Sequence, residues 1–264
     1  MTDAAFVGAI PEIYERCLGP MLFEPYARDM GRRFKGFDGE LLETAAGTGR
    51  VTRALAEAAP NAAITATDLN GPMLAEAARL CAARNVRFEA ADAQALPFPD
   101  QRFDAIVCQF GVMFYPDKAA SFSEARRVLR PGGRYVFNVW DELDRNALSQ
   151  VAHDTVARLF PGDPPSFFAR TPFGWNDRGL IERALAQAGF HEVAIETVAL
   201  PTAAPSAASA AEGLCCGTPL RGEIEARGDL GAAVEAVTRA LETQFGTGPI
   251  SAPGQAVVVT ARRQ

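Results

Sequence analysis

Leu41-Leu42-Glu43-Thr44-Ala45-Ala46-Gly47-Thr48-Gly49-Arg50 is the stretch whose reading decides the fold. Two apolar residues run into an acidic one, then into a loop of small residues and glycine, then into an amphipathic segment. That order spells strand, tight turn, helix. Val51, Ala54, Leu55 and Ala58 recur at i, i+3, i+4 and i+7, so one face of the helix is apolar. Gly47 and Gly49 let the backbone turn sharply and let a ligand approach the main chain. The helix then aims its free N-terminal N–H groups at whatever sits over the loop.

Several chemistries use such a loop, and the residues separate them. A phosphate cradle needs Gly-x-x-x-x-Gly-Lys-Ser/Thr, and no lysine follows here. A dinucleotide fingerprint needs a third glycine where this chain has Thr52. Glu43 at the strand end would meet a pyrophosphate with the wrong charge, but it suits a ligand with a cationic end. Glu-x-Ala-x-Gly-x-Gly resembles the first motif of the class I S-adenosylmethionine-dependent methyltransferases, with Ala45 where the family often has glycine. Alanine there is a mild departure, being the next smallest side chain. The resemblance implies S-adenosylmethionine as cofactor and S-adenosylhomocysteine as its product, with Glu43, Ala45, Gly47 and Gly49 at the binding loop.

Outward from the loop, strands and helices alternate regularly. Ala62–Thr67 reads as a second strand ending at Asp68, Pro72 opens a helix, and Val86–Ala90 is a third strand ending near Asp92. Phe103–Cys108 is a fourth strand, followed by a helix over 118–129. Arg130-Pro131-Gly132-Gly133 is a sharp stop, and Tyr135–Trp140 is a fifth, largely apolar strand. His191–Leu200 and Gln255–Ala261 complete the set. The expected fold is α/β, a doubly wound, seven-stranded, mostly parallel sheet of Rossmann-like type. Residues 1–37 are expected to form an N-terminal helical cap, broken into short pieces by Pro20 and Pro25. Residues 38–264 form the main domain, with lid or acceptor insertions at about 141–175 and 201–250. Pro201–Ala211 reads as a linker or a poorly specified helix start. More than fifty residues separate the last two strands, far more than a hairpin needs.

Three further motifs carry the resemblance, which covers about residues 38–140. Asp68 lies 19 positions beyond Gly49, the spacing of a carboxylate that accepts both hydroxyls of a ribose. The competing reading is a helix N-cap. Asp92, followed by Ala93, stands in a segment similar to the family's third motif, where a short polar side chain accepts from an adenine amino group. An ordinary turn aspartate is the alternative. Leu69 and Met73 are apolar groups placed to sandwich a purine, although core packing is their commoner use. Phe103–Gly111 resembles the fourth motif, with Gln109 and Phe110 at the strand's carboxyl end, beside the switch point where open α/β sheets bind ligands. Asp104 sits at the start of that strand and reads as structural.

Methyl transfer from a sulfonium is an in-line displacement that needs a base only where the acceptor must lose a proton early. His153 is the candidate base, against a solvated helix position, and His191 reads as a surface residue. Tyr14 belongs to a segment that resembles the helices closing over the donor in small-molecule methyltransferases, with packing as its alternative role. Tyr115 and Glu12 are weaker candidates. The five cysteines include the vicinal pair Cys215-Cys216 without histidine partners, so no metal site is expected.

The net charge of −6 argues against a nucleic-acid partner on electrostatic grounds. Twenty-four arginines stand against two lysines, Lys35 and Lys118, a skew that reflects genome composition rather than a binding surface. No apolar run approaches the ~20 residues of a membrane span, and the N-terminus lacks the pattern of a signal peptide. A cytoplasmic monomer or homodimer acting on a small, partly apolar acceptor is the resulting expectation. Phe160, Phe167, Phe168, Phe173 and Trp175 are candidates to line the acceptor site, or else to form a small core of their own. Two other readings stay open: a donor-binding regulatory subunit without turnover, and a dehydrogenase on a similar sheet, which Glu43 and Thr52 disfavour.

Overall fold

A computed structural model describes residues 10–264; the first nine residues of the expected helical cap lie outside it. The strands are β1 (Glu40–Glu43), β2 (Ala63–Asp68), β3 (Val86–Ala90), β4 (Phe103–Gln109), β5 (Leu129–Trp140), β6 (Phe190–Ala204) and β7 (Ile250–Arg263). They form one seven-stranded sheet in the order β3-β2-β1-β4-β5-β7-β6. The ladders β3-β2, β2-β1, β1-β4 and β4-β5 are all parallel. This is the expected doubly wound sheet, with the strand order reversing between β1 and β4.

The chain divides into two compact units. The first comprises the residues up to Pro25, Trp140–Gly174 and Ala199–Gln255; the second comprises Tyr26–Val139, Trp175–Val198 and Ala256–Gln264. The second unit contains helices α2 (Glu24–Arg33, from Tyr26 on), α3 (Arg50–Ala58), α4 (Gly71–Leu80), α5 (Lys118–Val128) and α8 (Arg178–Gln187). The first contains α1 (Ile10–Ile13), α6 (Ala147–Leu159), α7 (Phe167–Arg170), α9 (Ala207–Cys216), α10 (Leu220–Glu225) and α11 (Leu230–Phe245).

The second unit is built on its central strands. Leu41, Leu42, Ile64, Ile106, Val107 and Phe137 are each at most 1% exposed, because helices cover both faces of a parallel sheet. Burying each such side chain is worth about 1.5–3 kcal/mol. Asp104 is structural, as its place at the strand start implies. It accepts from the Glu40 N–H at 2.8 Å and pairs with Arg130 at 2.7 Å.

Three local expectations need correction, and one open reading is decided. Pro20 and Pro25 do not break the N-terminal run. Between α1 and α2 the chain forms a π-helix, Tyr14–Phe23, with Pro20 inside it, and the Glu24 N–H reaches back five residues to the Gly19 carbonyl. A wider turn accommodates a residue that has no N–H to give and whose ring crowds the preceding turn. Arg130–Gly133 does not precede the fifth strand but lies within β5. Pairing jumps there from Phe103↔Leu129 to Ala105↔Arg134, so the turn becomes a bulge. Of the two readings of Pro201–Ala211, the linker fails and the helix start holds: β6 runs to Ala204, and Ser206 caps α9 by accepting from the Ser209 N–H. The last strand begins at Ile250 rather than Gln255.

The first unit packs by small and apolar residues. The π-helix lies against α9, where Arg16 pairs with Glu212 at 2.6 Å, and α11 packs on both α9 and α6. Phe167, Phe168 and Phe173 are buried and touch one another in sequence, and Phe173 lies against Trp140. These three aromatics form a small core. Trp175 stands apart in the second unit, between Phe122 and Lys118.

Candidate functional site

The switch point between β1 and β4 sets the site. β2 and β3 lie to one side of β1, and β4 lies to the other, so the loops after all four strands open at one sheet edge. Glu43 ends β1 and is 2% exposed, with its Oε2 buried and lacking a hydrogen-bond partner among the described residues. Burial pushes its carboxyl up to about 8; Thr52 and Arg53 of α3 oppose this, and Asp68 adds to it. A half-satisfied buried carboxylate is expensive to keep, which argues that something of opposite charge completes it.

The loop after Glu43 is held by its neighbours. The Ala46 N–H donates to the Thr67 carbonyl at 2.9 Å, and the Gly47 N–H donates to Asp68 Oδ2 at 2.8 Å. Gly49 sits at φ +78° ahead of α3, and a Cβ there would lie 2.9 Å from Ala77 of α4. Only glycine meets both conditions. Asp68 Oδ1 accepts from the Asn70 N–H at 2.7 Å. Asn70, not Asp68, caps α4 by accepting from the Met73 N–H. Asp68 therefore braces the loop through both carboxylate oxygens. Burial raises its pKa, against the N–H groups of Asn70, Gly47 and Leu69.

The remaining candidates line the same edge. Leu69 is 71% exposed, a large apolar group left in the open beside Asp68, whereas Met73 is buried beneath the loop near Gly47. After β3 the Ala91 N–H donates to the Asp68 carbonyl at 3.1 Å, which brings the following Asp92-Ala93 up beside β2. Asp92 Oδ1 accepts from the Gln94 N–H at 2.8 Å and from its side-chain amide at 3.2 Å, while Gln94 Oε1 accepts from the Asp117 N–H. Gln109 ends β4. Phe110 follows at φ +52°, held by its N–H donating to Asn138 Oδ1 at 2.9 Å and stacked edge-on against Tyr26. Thus Glu43, Ala45, Gly47, Gly49, Asp68, Leu69, Asp92, Ala93, Gln109 and Phe110 all lie at the carboxyl edge of β3-β2-β1-β4 or on the turns that follow it, with Met73 in the first turn of α4.

Tyr14 and His153 belong to the first unit. Tyr14 stacks on Phe23 at 4.8 Å within the π-helix, and His153 is half-buried in α6. Tyr115 is no base: its hydroxyl donates to Thr44 Oγ1 at 3.2 Å, and burial holds its pKa far above the ordinary phenol value. Glu12 and His191 are exposed. Among the described residues no group of three or more His, Cys, Asp or Glu is placed to hold a metal ion, and no helix is long and apolar enough to cross a membrane.

Sequence reasoning missed the left-handed backbone at Ala45 (φ +54°) and Phe110, and the Thr44–Tyr115 bond. It missed Gln94 and Asn138 as well. Gly111, which follows Phe110 and has no room for a side chain, was the one available signal of a tight turn there.

The residues present fit an adenosyl amino acid. A buried carboxylate with an orphaned oxygen precedes the loop, a second carboxylate braces it at ribose spacing, and an exposed leucine follows that second carboxylate. Comparison with known proteins agrees. Residues 41–133 match the family model described as a methyltransferase domain. The chain is 41% identical over 123 residues to a demethylmenaquinone methyltransferase of Thermus thermophilus, covering 46% of this chain and 56% of that one. It is 37% identical over 125 residues to a ubiquinone/menaquinone biosynthesis C-methyltransferase of Methylobacterium nodulans, covering 46% and 50%. The chain thus spans about half the length of these curated relatives. Solved structures share the fold at low identity. A phosphoethanolamine N-methyltransferase of Haemonchus contortus with S-adenosyl-L-methionine bound matches with TM-score 0.62 and 16% identity, over 99% of this chain and 59% of that one. The [4+2]-cyclase SpnF matches with TM-score 0.57 and 23% identity, over 91% and 80%.

Proposed function

We propose, from the premise that residues 41–133 form a methyltransferase domain of the class I S-adenosylmethionine-dependent kind, that this protein transfers a methyl group from S-adenosylmethionine to a small, partly apolar metabolite. The observation that carries the reading is Glu43: a buried carboxylate with an orphaned oxygen at the switch point, electrostatically coupled to Asp68. In this proposal Glu43 takes the ammonium end of the donor, Asp68 the ribose hydroxyls and Asp92 the adenine amino group. Leu69 and Met73 flank the purine, and Gln109 and Phe110 close the side next to β4. When bound, the sulfonium supplies an activated methyl group. The chain's own contribution is to orient it and to keep water out, and such positioning is worth as much as ~7–11 kcal/mol of a barrier.

The proposed acceptor class is supported by the relatives, which are named for demethylmenaquinone methylation and for ubiquinone/menaquinone biosynthesis C-methylation. A phenolic or quinol ring is the first substrate to try. Tyr14 and His153 are the proposed proton-handling residues. The roles expected for the cap at 1–37 and the stretches 141–175 and 201–250 belong to the same proposal. A screen of aromatic acceptors with S-adenosylhomocysteine release as readout tests it: product formation supports it, and donor binding without turnover on any acceptor overturns the catalytic half.

A further inference from the structure

The donor loop is strained at a residue that nothing in its own sequence favours. Ala45 stands at φ +54°, a left-handed conformation that L-residues avoid because Cβ crowds the following carbonyl. Across the β1–β4 ladder, where Glu43 pairs with Val107, Phe110 adopts φ +52°. Two non-glycine residues in this conformation thus end two adjacent strands, and such strain persists only where the surroundings hold it.

What holds Ala45 comes from the turn after β4. Gly111 approaches so closely that a Cβ on it would lie 2.4 Å from the Ala45 Cβ and 2.7 Å from Cys108 Sγ. Beyond it, Tyr115 folds back and donates its hydroxyl to Thr44 Oγ1 at 3.2 Å, with Cys108 Sγ 3.4 Å away. Thr44 and Cys108 are 4% and 0% exposed, so the partners of the phenol are shielded from solvent. The Thr44 N–H is fixed on the Val107 carbonyl at 3.0 Å, and its side chain makes a second tie. Tyr115 is itself fixed. Its N–H donates to the Val112 carbonyl, and Lys118 Nζ donates to the carbonyls of Tyr115 and Met113 at 3.0 and 3.3 Å while lying over Trp175. Because burial keeps the phenol protonated, the tie is a donor at any working pH.

We propose that Tyr115 is a positioning residue for the donor loop: through Thr44 it holds the strained turn at Ala45 so that the following Ala46–Gly49 backbone presents itself to the donor. The inference rests on the donor-site reading above. It also explains how this chain keeps an alanine where similar loops often have glycine. A glycine would take the turn without help, whereas an alanine needs a bolt.

The test is a double-mutant cycle of Tyr115→Phe and Ala45→Gly, read two ways. Calorimetry gives the affinity for S-adenosylhomocysteine, and hydrogen exchange at the Ala46 and Gly47 amides of the ligand-free protein, corrected for intrinsic rates, reads the loop itself. Tyr115→Phe is expected to weaken binding about tenfold alone but less than about twofold when Ala45→Gly is also present, since the relieved turn no longer needs the phenol. Exchange at Ala46 and Gly47 quickens about tenfold and is restored by the second substitution. Thr44→Val removes the acceptor instead of the donor and must reproduce the pattern if Tyr115→Phe folds poorly. Equal losses in both backgrounds, or no change in exchange, would make the phenol a mere packing group and overturn the proposal. Should the wild-type protein give no heat with the ligand, the donor reading fails, and the exchange arm still decides whether Tyr115 holds the loop.

Discussion

The two compact units are specified in different ways. At the carboxyl edge of β3-β2-β1-β4, individual residues carry the architecture: a buried Glu43, a bracing Asp68, and left-handed Ala45 and Phe110 held by Tyr115 and Asn138. In the unit of α1, the π-helix, α6, α7 and α9–α11, what counts is bulk. Phe167, Phe168 and Phe173 fill a core, and helices rich in alanine pack closely. Polar groups that must be placed individually leave signatures in sequence, whereas close packing is met by many sequences of similar volume. The family match, residues 41–133, falls entirely within the second unit.

The sharpest way to break this contrast is to exchange the two kinds of damage. Phe167→Ala should lower stability by about 3–5 kcal/mol, read as a shift in denaturation midpoint, while affinity for S-adenosylhomocysteine in the remaining folded protein stays within twofold. A large affinity loss would show that the aromatic core also serves the ligand.

Glu43 should give the next largest effect, through pH. Its folded carboxyl is raised to about 8 from an ordinary value of 4.5, so the folded state keeps a proton that the unfolded chain releases. The stability it contributes is fully present below about pH 4.5 and is lost as pH rises towards 8. Donor binding runs the other way, because a cationic ligand favours the ionised form. Affinity for S-adenosylmethionine should climb by up to about tenfold per pH unit between 6 and 8, and Glu43→Gln should flatten both slopes. Parallel slopes in wild type and variant would remove Glu43 from the ligand.

Asp68→Ala comes third. It deprives the Gly47 and Asn70 N–H groups of their acceptor and should weaken donor binding about tenfold, consistent with ~1–3 kcal/mol for hydrogen bonds to a charged group. Unchanged affinity in a folded variant would leave Asp68 a brace only. The smallest effect is Ala45→Gly, which trades left-handed strain for greater freedom in the unfolded chain. It should stabilise the protein by about 0.5–1 kcal/mol in thermal unfolding.

Much of the second unit was legible because its signals are local. The glycine loop, the acidic residues ending β1 and β2, and the 19-residue spacing to Asp68 each follow from chemistry that few residues satisfy. The bracing role of Asp68 was hidden, since it depends on a backbone N–H 21 positions away. Ala45 and Phe110 were illegible for a different reason: local propensity disfavours their conformation, and only contacts from β4 and β5 impose it. Pro20 misled for a related reason, because the rule that proline breaks helices assumes α geometry and the chain there is a π-helix. In the first unit, composition left Pro201–Ala211 between a linker and a poorly specified helix start; its alanines settle it, since Ala207, Ala210 and Ala211 are all buried in α9.

The central claim is that the β1–β4 switch point binds an adenosyl amino acid through its acidic groups. Isothermal titration of S-adenosylhomocysteine into the protein at pH 8 tests it most directly, with Asp68→Ala and Glu43→Gln alongside. One site per chain with micromolar affinity, weakened in both variants and indifferent to added NAD, is the predicted result. No heat on titration, or displacement of the ligand by NAD, would contradict the account.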